Sequence, residues 1–261
     1  MSELINRPEY LNQLIQNKDV DLVKIVTGIR RCGKSSLLDL FHQHLLNHGV
    51  ADSNIIHMNL ESLRYRDLKD YLVFYDYVSE RIAKSGKTYL IFDELQVIEH
   101  WEKAIESFRL DFDVDIYITG SNAYLLSTEF STLLSGRYVE IRMLPLSFKE
   151  FLDFYEFAPD ISIEEKFQKY LQFGGMPILR EYRFNEARSI QALEGIYSTV
   201  ILRDILQRNT QSNQGLLHKL MLFLCSNIGS ITSPSSIGNV LSNEGNIDGK
   251  GKKIASQTVE T

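Results

Sequence analysis

Eight residues, Gly28-Ile29-Arg30-Arg31-Cys32-Gly33-Lys34-Ser35, limit what this chain can fold into more than any other segment. Two glycines bracket the turn, and a lysine and a hydroxyl follow the second at once. Upstream, residues 22–28 (LVKIVTG) form a short apolar run that reads as a buried strand. Downstream, residues 34–48 carry Leu37, Leu38, Phe41, Leu45 and Leu46 at helical spacing, and Gly49 stops them. A strand, a glycine turn and a helix in that order make a Walker A phosphate loop. Glycine reaches backbone conformations closed to other residues, so successive N–H groups converge on one anion. The helix adds the positive end of its dipole. Gly28, Ile29, Arg30, Arg31, Cys32, Gly33, Lys34, Ser35 and Ser36 are therefore the expected phosphate-binding set. Lys34 is expected on the β- and γ-phosphates and Ser35 on Mg²⁺.

The rest of the chain has a matching texture. Residues 54–60 (NIIHMNL), 88–95 (TYLIFDEL), 114–121 (VDIYITGS) and 137–144 (RYVEIRML) read as further strands, with helices over 67–83 and 101–110 between them. That alternation predicts the α/β class with a parallel sheet. From Pro145 onward the pattern is helical: PLSFKEFLDFYEF, EEKFQKYLQF and a long helix over 186–208. In the tail, residues 216–228 form an apolar helix, SPSSIGNVLS a capped second helix, NEGNIDGKGKK a polar loop and IASQTVET the beginning of a third helix. The pattern breaks off there, which reads as a truncated chain.

Composition narrows the function classes. The 261 residues carry 28 Lys+Arg against 34 Asp+Glu, a net charge of −6 that excludes coating nucleic acid by bulk charge. A local cluster at Lys250, Lys252 and Lys253 could touch phosphate, but a solvated loop is the better explanation. Two cysteines, Cys32 and Cys225, are too few for a disulfide framework. The polar start MSELINRPEYLNQLIQ is no secretory signal, and residues 221–243 are too polar to span a bilayer. A cytoplasmic protein with no membrane partner is expected.

Several residues extend the phosphate loop into a site. Asp93 and Glu94 end the apolar run YLIF, the pattern of a Walker B pair. Asp93 is expected to hold Mg²⁺ and Glu94 to polarise a water for attack on the γ-phosphate. Asn122 (or Ser121), at the tip of the next strand, is a candidate to orient that water, with a turn-forming Asn as the plain alternative. Arg137 is a candidate to stabilise transition-state charge, in the same or a neighbouring subunit, with a plain surface arginine as the alternative. Cys32, near a helix N-terminus and two arginines, is expected to have a lowered thiol pKa. His44 and His48 have a metal-chelating spacing, but no third ligand is evident and a solvent-facing pair is the better reading.

Together these segments resemble the AAA ATPase-like family of bacterial and archaeal proteins with a C-terminal domain of unknown function. The resemblance is carried by GIRRCGKSSLL, YLIFDELQ, YITGSNAYLLS, LLSGRYVEIRMLPLSFKEF, FGGMP and YSTVILRDILQR, which span most of residues 6–208. It implies a P-loop NTPase sheet with strand order 5-1-4-3-2, a helical lid and a winged-helix domain, and ATP/ADP as the nucleotide. The expected divisions are 1–157 for the ATPase domain, 158–212 for the lid and 213–261 for an incomplete winged helix. Arg7 and Tyr10 match a segment near the adenine, and Pro177, in Gly174-Gly175-Met176-Pro177, matches a nucleotide-contacting motif of the related signal-transduction ATPases. A helix start and a helix-breaking turn are the plain alternatives for these residues.

The leading expectation is thus Mg-dependent ATP hydrolysis coupled to conformational change. The alternative is a nucleotide-dependent switch with little turnover, acting on an unidentified protein or on DNA through the winged helix. A P-loop kinase fits the Asp-Glu pair less well. Assembly into an oligomer stays open.

Overall fold

The structure, a computed structural model, describes residues 7–120, 136–200 and 214–243. Its sheet contains β1 (Val23–Thr27), β2 (Ile55–Asn59), β3 (Thr88–Asp93), β4 (Val114–Thr119) and β5 (Tyr138–Arg142). All neighbours are parallel, in the order β2-β3-β4-β1-β5. This is the expected order, counted from the other edge. Helices α1 (Pro8–Gln16), α2 (Lys34–Asn47), α3 (Tyr71–Ser79) and α4 (Trp101–Asp111) surround the sheet. They are followed by α5 (Phe148–Phe154), α6 (Ile163–Phe173) and α7 (Glu186–Thr199), then α8 (Gln214–Ser226) and α9 (Pro234–Asn243).

Side chains alternate across the strands with period two, so both faces of the sheet are apolar. Leu90 and Phe92 of β3, with Ile116 and Ile118 of β4, pack with Phe74 and Val78 of α3 and Ile105 and Phe108 of α4. Tyr89, Ile91 and Tyr117 point the other way, into a cluster with Leu14 of α1 and Leu37, Leu38, Phe41 and Leu45 of α2. Strands end sooner than their apolar runs because the last residues leave the ladder to build loops. Residues 88–95 leave it after Asp93, where Glu94 turns to a left-handed φ of 56°. The helix expected over 67–83 begins only at Tyr71, because the Asp70 carboxylate accepts the N–H groups of Leu72 and Val73 as an N-cap.

A polar anchor sits in the second cluster, at the amino end of β1. Lys24 and Asp115 have side chains only 0% and 2% exposed, and Lys24 Nζ donates to Asp115 Oδ1. Lys24 also donates to the Val20 carbonyl at 2.7 Å. Asp115 Oδ2 accepts the Tyr117 hydroxyl at 2.7 Å and the Asp19 N–H at 2.8 Å. The residues entering β1 are therefore tied to β4 by buried, satisfied polar groups.

Two compact units divide the chain, Met1–Ile196 and Tyr197–Thr261. The expected boundary at 157 falls inside the first unit. There Phe148 of α5 packs on Phe167 and Tyr170 of α6, with centroids 5.0 and 5.5 Å apart, and joins the two helices. In the second unit, α8 and α9 are helical where residues 216–228 and SPSSIGNVLS were expected to be. The expected Lys250, Lys252 and Lys253 loop and the third helix lie outside the described residues, as does the end of the long helix expected to 208. Among the described residues, no helix is long and apolar enough to cross a membrane.

Removing one partner of the buried pair leaves a charge without compensation. Asp115→Leu is expected to lower unfolding stability by about 3–5 kcal/mol. Lys24→Met combined with Asp115→Leu is expected to lose less than Asp115→Leu alone. Urea unfolding curves of the two variants check this.

Candidate functional site

Parallel register brings the carboxyl ends of β2, β3, β4 and β1 side by side, the edge at which ligands bind in open α/β sheets. Asn59 is paired with Asp93, and Thr119 with Val26. Asp93, 2% exposed, has both carboxylate oxygens engaged across the strands. Asn59 Nδ2 donates to Oδ2 at 3.0 Å, and the Thr119 hydroxyl donates to Oδ1. The same Thr119 oxygen accepts the N–H of Glu94 at 3.0 Å.

The phosphate loop rises from β1 beside this row. Gly28 has a φ of +148°, and a Cβ there would stand 2.3 Å from the Met143 carbonyl oxygen, so only glycine allows the chain to turn at this point. Arg31 and Gly33 are also left-handed, at φ 64° and 106°. Gly33 caps α2 without a side-chain acceptor, and the first turn of α2 holds no acidic residue. Its N–H groups therefore keep their hydrogen-bonding capacity for an anion. Lys34 Nζ donates to the carbonyls of Gly28 and Ile29 at 3.1 and 3.2 Å and lies 3.9 Å from Glu94 Oε1. The lysine thus stands between the loop and the candidate base.

A cleft of about 400 Å³ opens at this edge. The loop residues 31–36, with Glu94, Arg180 and Glu181, make up its polar lining, and Leu40, Met143, Phe154, Pro177 and Ile178 its apolar lining. The cleft thus joins six of the nine expected loop residues to Glu94 and Pro177. Gly28, Ile29 and Arg30 are not part of its lining. Gly28 is covered by Met143, Ile29 is 45% exposed, and Arg30 lies 3.6 Å from Glu61. Pro177 begins a 3-10 turn, Pro177–Tyr182, held in place by a hydrogen bond from Leu146 N–H to the Gly175 carbonyl at 2.7 Å.

Four expected residues have surroundings that the motifs do not show. Arg7 does border the cleft, but its guanidinium is fully engaged as a brace. It donates to Glu150 at 2.7 and 2.9 Å, to the Cys32 carbonyl at 3.1 Å and to the Leu144 carbonyl at 2.8 Å. Tyr10 stacks on Arg7 at 4.5 Å and its hydroxyl accepts the Leu144 N–H, away from the cleft lining. Arg137 stands at the amino end of the sheet, where its carbonyl accepts the Val23 N–H. At about 3.3 Å per residue along β1, that is some 16 Å from the loop. Its side chain lies 3.3 Å from Glu106, so a same-subunit role at the phosphates is excluded by position. Cys32 is fully buried, and burial pushes its thiol up despite the nearby Lys34 and Arg7. The reactive-thiol expectation does not hold.

Ser121 and Asn122 lie outside the described residues. His44 and His48 stack at 3.8 Å, and the described residues contain no cluster of three or more His, Cys, Asp or Glu able to hold a metal. Ser35, in the cleft lining, offers a hydroxyl, and Asp93, at the end of β3 and not in the lining, offers a carboxylate. This hard oxygen set fits Mg²⁺, which typically takes one or two protein ligands and completes its shell with phosphate and water.

Residues 21–152, half of the chain, match the AAA domain family. The chain belongs to that family. It carries a second domain as well, because residues 164–260 match a domain of unknown function. An uncharacterized protein of Haemophilus influenzae is 41% identical over 243 residues, covering 92% of this chain and 60% of that protein. One of Methanocaldococcus jannaschii is 29% identical over 255 residues, covering 92% of this chain and 53% of that protein. The chain therefore spans a little over half the length of these relatives. A solved Walker-type ATPase of Pyrococcus abyssi shares the fold with a TM-score of 0.60 at 18% identity, covering 94% of this chain and 86% of that one.

Sequence reasoning missed Asn59, Thr119, Gln96 and Arg180. Thr119 and Gln96 lie within quoted motifs, TGSN and DELQ, but nothing in those strings says which polar side chain turns toward Asp93 or Glu94.

Two outcomes follow for the frame of the site. Gly28→Ala is expected to destabilise the fold by about 1–3 kcal/mol, the range for a strained backbone position, read as a lower thermal midpoint. Burial alone would raise the Glu150 carboxyl, but Arg7 and the Ser147 N–H hold it below the usual range. Its stabilisation is complete above its unfolded value of about 4.3 and is lost as pH falls through the depressed folded value. The gap in thermal midpoint between the unmodified chain and Glu150→Gln is expected to shrink as pH is lowered below that value.

Proposed function

We propose that the cleft binds ATP with Mg²⁺ and that the chain hydrolyses it to ADP and phosphate. The observation carrying this reading is the convergence of Lys34, Ser35 and Glu94 on one cleft at an uncapped, acid-free helix N-terminus. A triphosphate enters the polar end, where the first-turn N–H groups of α2 and Lys34 bind its oxygens. The purine lies on the apolar wall of Leu40, Phe154 and Ile178. Ser35 and Asp93 would hold Mg²⁺, which would supply positive charge to neutralise charge developing on the phosphates. Glu94 orients a water and takes its proton as oxygen attacks the γ-phosphorus and the bond to the β-phosphate oxygen breaks.

Lys34 contributes by moving its charge from the Gly28 and Ile29 carbonyls to the phosphates. Little covalent chemistry is required of the protein, since positioning and electrostatics do most of the work. Arg180 and Pro177 line the same cleft from the turn after α6, so a nucleotide there contacts both the sheet edge and the helical segment. Turnover is coupled in this way to movement of that segment against the sheet.

Lys34→Ala is expected to weaken ATP binding roughly tenfold to a hundredfold, the equivalent of a charged hydrogen bond, by titration with a fluorescent ATP analogue. Glu94→Gln is expected to bind ATP normally and to lose about 10²- to 10⁴-fold in kcat. Hydrolysis by both variants at the unmodified rate refutes the assignment.

A further inference from the structure

Glu94 is held in a conformation that a glutamate rarely adopts, with φ 56°. Departures of this kind gather at functional sites, where neighbouring groups hold them in place. Three contacts surround it. Its N–H donates to Thr119 Oγ1 at 3.0 Å, which fixes the backbone. Lys34 Nζ lies 3.9 Å from Oε1, but the proposed function draws that lysine toward phosphate. Gln96 Nε2 donates to Oε2 and is the contact that orients the carboxylate itself.

Gln96 reaches back because Leu95–Val97 is a single 3-10 turn, which returns the side chain two residues on to the strand end. An ionised carboxylate only accepts, so the amide nitrogen must be the atom facing it. The other amide atom, Gln96 Oε1, is buried and has no hydrogen-bond partner among the described residues. A buried acceptor without a partner opposes folding, so the amide is not there to satisfy itself. Its donor half is the part in use. Gln96 does not border the cleft, whereas Glu94 does.

We propose that Gln96 is a positioning residue that holds the Glu94 carboxylate in the plane needed to receive a proton from water, and so sets kcat without touching the nucleotide. This rests on the reading of Glu94 as the base.

The test uses the 261-residue chain with Gln96→Ala, Gln96→Glu and Glu94→Gln, measuring steady-state ATP hydrolysis, binding of a fluorescent ATP analogue and thermal midpoints. Gln96→Ala is expected to lower kcat by about tenfold to a hundredfold, the scale of a misplaced reacting group. KM and nucleotide affinity should stay within about twofold, as for an interaction made only in the transition state. Gln96→Glu keeps the shape but sets a second carboxylate against the first. It is expected to lower kcat with KM within about twofold, because a carboxylate cannot donate the hydrogen bond that orients Glu94. A purely structural glutamine would move the thermal midpoint and leave kcat in place. Unaltered kcat in both Gln96 variants, with Glu94→Gln inactive, overturns the proposal and leaves the base intact. Should Gln96→Ala fail to fold, the kcat of Gln96→Glu decides alone, and an unaltered kcat overturns it. Unimpaired hydrolysis by Glu94→Gln overturns the base reading and this inference with it.

Discussion

The close approach of Gly28 to the Met143 carbonyl is the constraint on which the rest of the site depends. With no side chain at that point, the chain leaving β1 can turn under the end of β5 and begin α2 directly above the sheet edge. Everything that makes the loop side of the cleft polar follows from that turn. The helix N-terminus faces outward, Lys34 returns over the loop, and Arg31 and Ser35 flank the opening. A side chain there would push β5 away and separate the loop from the Asp93 and Glu94 strand end.

A second set of contacts keeps the opposing wall rigid. Asn59, Asp93 and Thr119 lie in a row because three parallel strands stop in register, and their hydrogen bonds cross from strand to strand. The Arg7 brace performs the corresponding task on the other flank, joining the residue before α1 to the loop, to the segment after β5 and to α5. At the amino edge the Lys24–Asp115 pair fixes where β1 begins. The frame is therefore held by polar contacts at both edges and by apolar packing on both faces. The N-terminus of α2 is left without a side-chain cap or an acidic neighbour in its first turn.

Membership of the AAA domain family accounts for residues 21–152, and a domain of unknown function covers residues 164–260. The helical segment that supplies Pro177 and Arg180 belongs to the second match, yet it lines the same cleft as the loop. The phosphate loop of the first segment thus shares a cleft with the second.

Much of this was legible in the residues because it is local. The glycine turn between a strand and a helix, the Asp93-Glu94 pair after an apolar run, and the alternation of elements are each encoded within a few consecutive positions. Backbone chemistry acts at that range. What the residues could not declare depends on groups far apart in sequence. Arg7 has the composition of a ligand-binding arginine, and only the fold brings Glu150 to it, 143 residues away. Cys32 has cationic neighbours in sequence, but burial under Met143 outweighs them. Arg137 looks available until the strand direction sets it at the opposite edge. Thr119 and Gln96 were visible as letters, and their roles came from cross-strand register and from a tight turn. The sequence by itself determined that a phosphate-binding turn exists and which elements flank it, since backbone conformation is a short-range property. Only the tertiary structure decided which charges meet, because burial and pairing are set by whatever the rest of the chain packs beside them.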